Sequence, residues 1–173
     1  MKRTTLVFVA LLLAALPAAA QVQASYTPFG TSGLFEPVYN PGIAIQGLPR
    51  PGSSFTVTYP GSYTTGLGWG LLFTGTSIRR WGPVTLPFDL LLPGYTVTPG
   101  TKLLVSGDLI SRVNISYYFP TNPLKISFPV PNQPALLGST FYQQWVLYEP
   151  AHAPPKNAVF LRTTCAAAGV IGR

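Results

Sequence analysis

Residues 124–150 read LKISFPVPNQPALLGSTFYQQWVLYEP, and they contain the two clearest strand patterns of the chain. In residues 124–130, large apolar side chains alternate with lysine, serine and proline, which is the period of two expected when a strand buries one face. Residues 141–148 carry large side chains at odd and even positions alike. This second pattern predicts a central strand that is covered on both faces, not a strand at a sheet edge.

The connection between these strands is too long and too rich in proline for a tight hairpin. Residues 131–134 begin and end with proline and cannot extend a hydrogen-bonded ladder. Pro134 suits the first turn of a helix, and Gly138 suits its end. We therefore predict an arch that carries the chain from one sheet to another, with Leu136 and Leu137 closing the end of the core.

Other strand patterns recur along the chain between turns rich in proline and glycine. Residues 54–59 alternate strictly and predict a half-buried strand, whereas the apolar run WGLLFT at residues 69–74 predicts a strand covered on both faces. The shorter candidates are residues 43–45, 86–92, 102–105, 113–119 and 158–163. We expect residues 113–119 to pair with residues 124–130 as a hairpin, because only four residues separate the two runs.

These patterns amount to about eight or nine short strands with no amphipathic helical window, which predicts an all-β fold. The expected architecture is an antiparallel β-sandwich of jelly-roll or immunoglobulin-like type, and a closed barrel is the alternative. Residues 25–173 are expected to form one domain, with a Gly/Pro-rich lead-in at residues 25–51. Cys165 is the only cysteine, so its thiol is either buried or available for an intermolecular disulfide.

Residues 1–24 have the three regions of a secretory signal peptide, and we expect them to form a helix before the domain. Lys2 and Arg3 precede an apolar run, and small residues follow it, so cleavage is expected after Ala20 or Ala24. The apolar run is shorter than the ~20 residues that a membrane-spanning helix needs, so the mature chain is predicted to lack a transmembrane segment. We expect a bacterial protein secreted to the periplasm, the cell surface or the extracellular space.

Removal of this peptide leaves nine Lys and Arg against four Asp and Glu, a net charge of about +5. An acid–base enzyme needs paired titratable groups, and a zinc site needs three or four ligands. The mature chain offers only Glu36, Asp89, Asp108, Glu149, His152 and Cys165. Both aspartates lie beside turns, where carboxylates commonly accept hydrogen bonds from backbone amides. We therefore predict no catalytic residue, no metal and no cofactor.

Aromatic and basic residues are the candidates for ligand binding. Arg79, Arg80 and Trp81 form a basic–aromatic cluster whose charge and stacking surface suit a sugar or an acidic polymer. Tyr142 and Tyr148, together with Trp81, are candidates for a carbohydrate platform, with core packing as the alternative for each ring. The alternative for the cluster is a solvated loop, and export makes nucleic acid a poor partner.

The order of several motifs resembles that of a known but uncharacterised family. GLPRPGSSFTV at residues 47–57 is followed by LLFTGTS at 71–77, by LPFDL at 86–90 and by P-x-P-N-x-P-x-L-x-G-x-x-F-Y-x-Q-W at 129–145. This order resembles a domain that recurs in secreted proteins of environmental Gram-negative bacteria. The resemblance implies an exported β-sandwich module with no assigned activity, and it implies no catalytic residue.

The sequence thus predicts an exported, non-catalytic structural or adhesive module of the cell surface or extracellular space. Its expected partners are polysaccharides or other surface proteins, and the oligomeric state stays open. A polysaccharide-binding module is the first alternative, and it requires surface aromatic rings spaced for sugars. An enzyme is the second alternative, and it requires two carboxylates within catalytic reach in one cleft.

Overall fold

The computed structural model describes residues 21–31, 42–60, 68–90, 97, 100–115, 123–150 and 159–173. Several predictions fall on residues outside these ranges: the first 20 residues of the signal peptide, Glu36, His152, and parts of the strands expected at 86–92 and 113–119. No helix within the described ranges is long and apolar enough to span a membrane.

The described residues form twelve β-strands and one short 3₁₀ helix, Pro134–Leu136. The strands are β1 (Ser25–Phe29), β2 (Ala44–Gln46), β3 (Ser54–Tyr59), β4 (Gly68–Gly75), β5 (Arg80–Trp81), β6 (Val84–Thr85), β7 (Phe88–Asp89), β8 (Lys102–Leu103), β9 (Leu109–Ile115), β10 (Leu124–Pro129), β11 (Thr140–Pro150) and β12 (Val159–Val170). All pairs of these strands are antiparallel, which confirms the predicted all-β class.

The largest sheet has five strands in the order β1-β12-β11-β4-β9. As predicted, β11 is central, because it pairs with β12 on one side and with β4 on the other. Trp145 lies opposite Leu72 of β4, and Tyr148 lies opposite Trp69. A β-bulge between Gln144 and Val146 interrupts the pairing with β12 only.

A second sheet has three strands in the order β10-β3-β2. The strands predicted at 54–59 and 124–130 are its two longest members, and Ile126 lies opposite Val57. Residues 113–115, the described part of the strand predicted to pair with residues 124–130, pair with β4 in the five-stranded sheet, where Val113 lies opposite Gly70. The rest of the predicted hairpin, at residues 116–119, lies outside the described residues. The alternation of apolar and polar residues shows which face of a strand is buried. It does not show which strand lies next to it in the sheet.

An inner core lies between the two sheets. Its main members are Phe55, Val57, Tyr59, Leu72, Leu124, Trp145 and Leu147, all of them buried. The sheets are in close contact at Gly70, where a Cβ atom would collide with the side chain of Leu124. Burial of each such large apolar side chain contributes about 1.5–3 kcal/mol, so this core is the main source of stability.

An outer core lies on the opposite face of the five-stranded sheet. There Phe73, Val146 and Leu161 are buried beneath a cover, which we define as residues 86–90 and 100–106 with the β7–β8 ribbon. The buried side chain of Gln144 attaches the cover: its Oε1 accepts from the Leu104 amide at 2.8 Å, and its Nε2 donates to the Lys102 carbonyl at 2.9 Å. Gln144 therefore holds the cover to the sheet through hydrogen bonds that lie inside an apolar core.

The arch predicted after β10 is confirmed. The chain leaves the three-stranded sheet at Pro129, forms the 3₁₀ helix and enters the five-stranded sheet at Thr140. Gly138 has φ +84°, a conformation that glycine adopts without strain. Leu136 packs against the inner core as expected.

Two strands of the structure include residues that are not predicted to form strands. The strand expected at 158–163 continues to Val170, and β1 lies inside the stretch interpreted as a lead-in. The added part of β12 is rich in alanine, which has little preference for strands. At Gly169 a larger residue would not fit, because the ring of Phe141 lies directly over it. Cys165, also in β12, is a free thiol that is half-buried against the inner core.

Candidate functional site

Three side chains lie in a row across the open end of the outer face. Tyr148 of β11 stacks on Trp69 of β4, with ring centroids 4.9 Å apart and an interplanar angle of 15°. On the neighbouring strand β9, the guanidinium carbon of Arg112 lies 5.6 Å from the centroid of the Trp69 ring. The pleat produces this row, because directly and diagonally paired residues of adjacent strands share a face.

The row holds an exposed tryptophan in a defined orientation. Trp69 keeps 40% of its surface exposed, and Arg112 is exposed as well. The stacked pair contributes about 0.5–1.5 kcal/mol and the cation–π contact about 0.5–1 kcal/mol. Solvent therefore meets the rim of the indole ring beside a guanidinium group whose position is already set.

A second exposed tryptophan lies on the same face of the sheet. Trp81 belongs to the β5–β6 hairpin, and its ring meets that of Phe73 edge to face, with centroids 6.0 Å apart. A Cβ atom on Gly107 would lie 3.0 Å from Trp81 Cζ2, so one edge of the indole rests on this glycine. The remainder of the ring leaves 36% of Trp81 exposed.

Hydrogen bonds fix the backbone that carries the basic cluster. The hydroxyl oxygen of Ser77 accepts from the amides of Arg79 and Arg80, each at 3.1 Å. Ser77 itself donates its amide to Ser106 Oγ at 3.1 Å. The side chains of Arg79 and Arg80 are exposed, so they extend into solvent from an anchored turn.

Between the two tryptophans, β9 contributes a mixed apolar and polar edge. Ile110 lies opposite Phe73, and Asn114 lies opposite Trp69. Phe73 and Trp69 are four residues apart on β4, which corresponds to about 13 Å along an extended strand. We call the surface formed by Trp69, Tyr148, Arg112, Ile110, Asn114 and Trp81 the tryptophan strip.

The strip contains two of the residues that the sequence proposes for ligand binding. Trp81 lies at one end, with Arg79 and Arg80 adjacent in the chain, and Tyr148 forms part of the row at the other end. Tyr142 lies elsewhere on the outer face, where it is half-buried and its ring meets that of Phe29 edge to face at 6.1 Å. These contacts agree with the alternative interpretation of Tyr142, which is packing in the core.

Trp69 and Arg112 are the residues that sequence reasoning missed. The run at residues 69–74 predicts burial on both faces, and Trp69 was grouped with the buried residues although it begins the run. Gly68 is the available signal, because it lies at the start of β4, next to Trp69. Arg112 lies before the predicted strand 113–119, whereas β9 begins at Leu109.

The described carboxylates take part in contacts within the fold. Asp108 Oδ2 accepts from the amide and the hydroxyl of Thr76, both at 2.8 Å, and these bonds lower the pKa of Asp108. The predicted backbone contact is therefore confirmed for Asp108. Asp89 pairs with Lys102 at 3.7 Å, both of them largely exposed. Glu149 is buried and lies 3.9 Å from Arg162.

Within the described ranges, histidine, cysteine and acidic residues form no group of three or more that could hold a metal ion. Comparison with known proteins gives no match: no family model matches the chain, and no curated protein and no solved structure is significantly similar to it. The arguments for function therefore rest on the site itself.

Proposed function

We propose that this chain is an exported, non-catalytic adhesive module of the cell surface or extracellular space. The tryptophan strip carries the proposal, because it presents two exposed tryptophans on the face of a five-stranded sheet. Exposed aromatic rings cost free energy in water, and a group of them commonly marks a binding surface. The long inner core gives this surface the rigid support that adhesion requires.

Two further parts of the proposal concern fold and export. We infer a β-sandwich of jelly-roll or immunoglobulin-like type, supported by the packing of the three-stranded sheet on the five-stranded one. Export is inferred from the signal-peptide pattern at residues 1–24 and from the resemblance to secreted domains.

The contacts of the acidic residues support a non-catalytic role. Asp108 accepts two hydrogen bonds from Thr76, and Asp89 pairs across a ribbon with Lys102. Glu149 is buried on the inner face of the five-stranded sheet, where it lies near Arg162 and Tyr59. Each group has a structural partner, whereas a general acid or base needs access to substrate.

A soluble polysaccharide-binding module is the second candidate, and the same strip favours it. The two candidates differ in where the protein resides. An adhesive module remains attached to the envelope or forms assemblies, whereas a soluble binding module is a monomer in the medium or periplasm.

Fractionation of the producing cells tests this difference. The mature protein from envelope, periplasm and medium is detected by immunoblot, purified and sized by chromatography with light scattering. Envelope attachment or large assemblies would support adhesion. A monomer found only in soluble fractions would overturn adhesion in favour of the second candidate, and retention in the cytoplasm would contradict export.

A further inference from the structure

We propose that the tryptophan strip binds an acidic polysaccharide, whose uronate carboxylates contact arginine while its sugar rings pack against the exposed parts of the indoles. This inference rests on the proposed adhesive function and assigns its ligand class and its site. The residues that carry it are Trp69, Tyr148, Arg112, Asn114 and Trp81 of the strip, together with the exposed Arg80 that precedes Trp81 in the chain.

The apolar part of the site comes from the two tryptophans. The exposed part of an aromatic ring offers an apolar surface to the C–H groups of a sugar, and the side chain has only two rotations to restrict. At Trp69 these rotations are already restricted, since the indole lies between Tyr148 and Arg112. Trp81 is held likewise by Phe73 and Gly107. Binding therefore costs little additional side-chain entropy.

The charged part of the site comes from the arginines. A guanidinium group binds a carboxylate through two parallel hydrogen bonds, a geometry that lysine lacks. The two ion pairs within the described ranges join Lys102 to Asp89 and Arg162 to Glu149, so neither uses Arg112 or Arg80. These exposed guanidinium groups are thus available for a carboxylate, and an acidic sugar satisfies them better than a neutral one.

The length of the strip favours a polymer over a single sugar. Trp69 and Phe73, on which Trp81 rests, are separated by about 13 Å of strand, which spans several linked sugar rings. Asn114, opposite Trp69, supplies an amide for hydroxyl groups along the way. Linked contacts raise the overall affinity through effective concentration, even when each sugar binds weakly.

Calorimetric titration with polygalacturonate and with the same polymer after reduction of its carboxyl groups tests the proposal. We expect the wild-type protein to bind polygalacturonate, with affinity falling as salt is added, and to bind the reduced polymer at least tenfold more weakly. Trp69→Ala and Arg112→Gln should each weaken binding to polygalacturonate at least tenfold, and Trp81→Ala should weaken it severalfold.

Two matched variants serve as controls. Phe88→Ala removes an aromatic residue that is 44% exposed on the cover, and Lys125→Gln removes an exposed charge on β10 in the other sheet. Both should retain wild-type affinity. Circular dichroism of every variant checks that the fold is intact, and Arg112→Gln serves as the test if Trp69→Ala does not fold.

The outcomes separate the site from the function. Equal affinity for both polymers would overturn the acidic ligand, and wild-type affinity in the strip variants would overturn the site. Retention on isolated envelopes without affinity for polygalacturonate would overturn this inference while leaving adhesion intact. Failure to bind either the polymers or the envelopes would overturn both proposals.

Discussion

The two faces of the five-stranded sheet are formed by the same strands but differ in how far they are covered. The inner face packs against a complete second sheet, and neighbouring residues such as Leu72 and Phe73 point to opposite faces of β4. The outer face is covered only in part, and beyond the cover it carries Trp69 and Arg112 in solvent. The alternation of a strand thus allows one face to build the core while the other presents exposed aromatic and basic side chains.

The inner face should show the largest effect on stability. Trp145 is fully buried among residues of both sheets, so Trp145→Ala should lower the free energy of unfolding by about 3–5 kcal/mol. Denaturant unfolding followed by circular dichroism measures this change. Trp145→Phe should cost less, because it leaves a smaller cavity. A loss below about 1 kcal/mol for the alanine variant would mean that the core tolerates the cavity.

Beneath the cover, the connection made by Gln144 should show an intermediate effect. Gln144→Leu leaves the Leu104 amide and the Lys102 and Thr164 carbonyls without this partner, so it should cost about 1–3 kcal/mol. Hydrogen exchange should also accelerate at the Leu104 amide.

Gln143→Leu is the matched comparison on the inner face. The partners of Gln143 are the hydroxyl groups of Tyr26 and Thr74, both in half-buried residues, and they regain water more easily. We expect a smaller loss than for Gln144→Leu. The reverse order would show that the cover does not depend on its buried glutamine.

Alkaline pH should lower the free energy of unfolding through Tyr59 of the inner core. Burial and the nearby Glu149 carboxylate raise the pKa of Tyr59 to about 12, although Arg162 opposes the shift. An unfolded tyrosine has a pKa of about 10, so the stabilisation is complete below pH 10 and is lost as the pH rises through about 12. Unfolding midpoints at pH 9 and pH 11 should therefore differ.

Tyr59→Phe should reduce this difference between the two pH values. Tyr26, whose pKa is also raised by burial, should account for part of what remains. An unchanged pH dependence in the phenylalanine variant would assign the alkaline loss to other groups.

The strip should show the smallest effect on stability. Trp69→Ala removes one stacking and one cation–π contact at a 40% exposed site, so it should cost about 1–2 kcal/mol. Thermal unfolding compares it with Trp145→Ala. A loss as large as that of Trp145→Ala would show that Trp69 belongs to the core.

Sequence patterns predict strands here better than they predict neighbours. The alternation at residues 54–59 and 124–130 and the two-sided pattern of β11 are found in the structure, because burial on one or both faces leaves a direct mark on residue type. The partner of a strand leaves no such mark, and residues 113–115, expected to pair with residues 124–130, pair with β4 instead. The second half of β12 is not predicted as a strand, because its alanines have little preference for strands.

The candidate site was only partly predictable for a related reason. Arg79, Arg80 and Trp81 are adjacent in sequence and were found as a cluster. Trp69 and Arg112 meet through the register of β4 and β9, which the sequence does not contain. A surface formed by residues of several strands can be recognised only when the pairing register of those strands is known.

The pairing of β1 with β12 determines when the largest sheet can be completed. Ser25 lies opposite Val170, so the first and last of the described strands are neighbours. Contacts between such distant parts of a chain form late and slow the folding rate, because a long loop must close before they stabilise anything. During synthesis the five-stranded sheet therefore cannot be completed until β12 has been made.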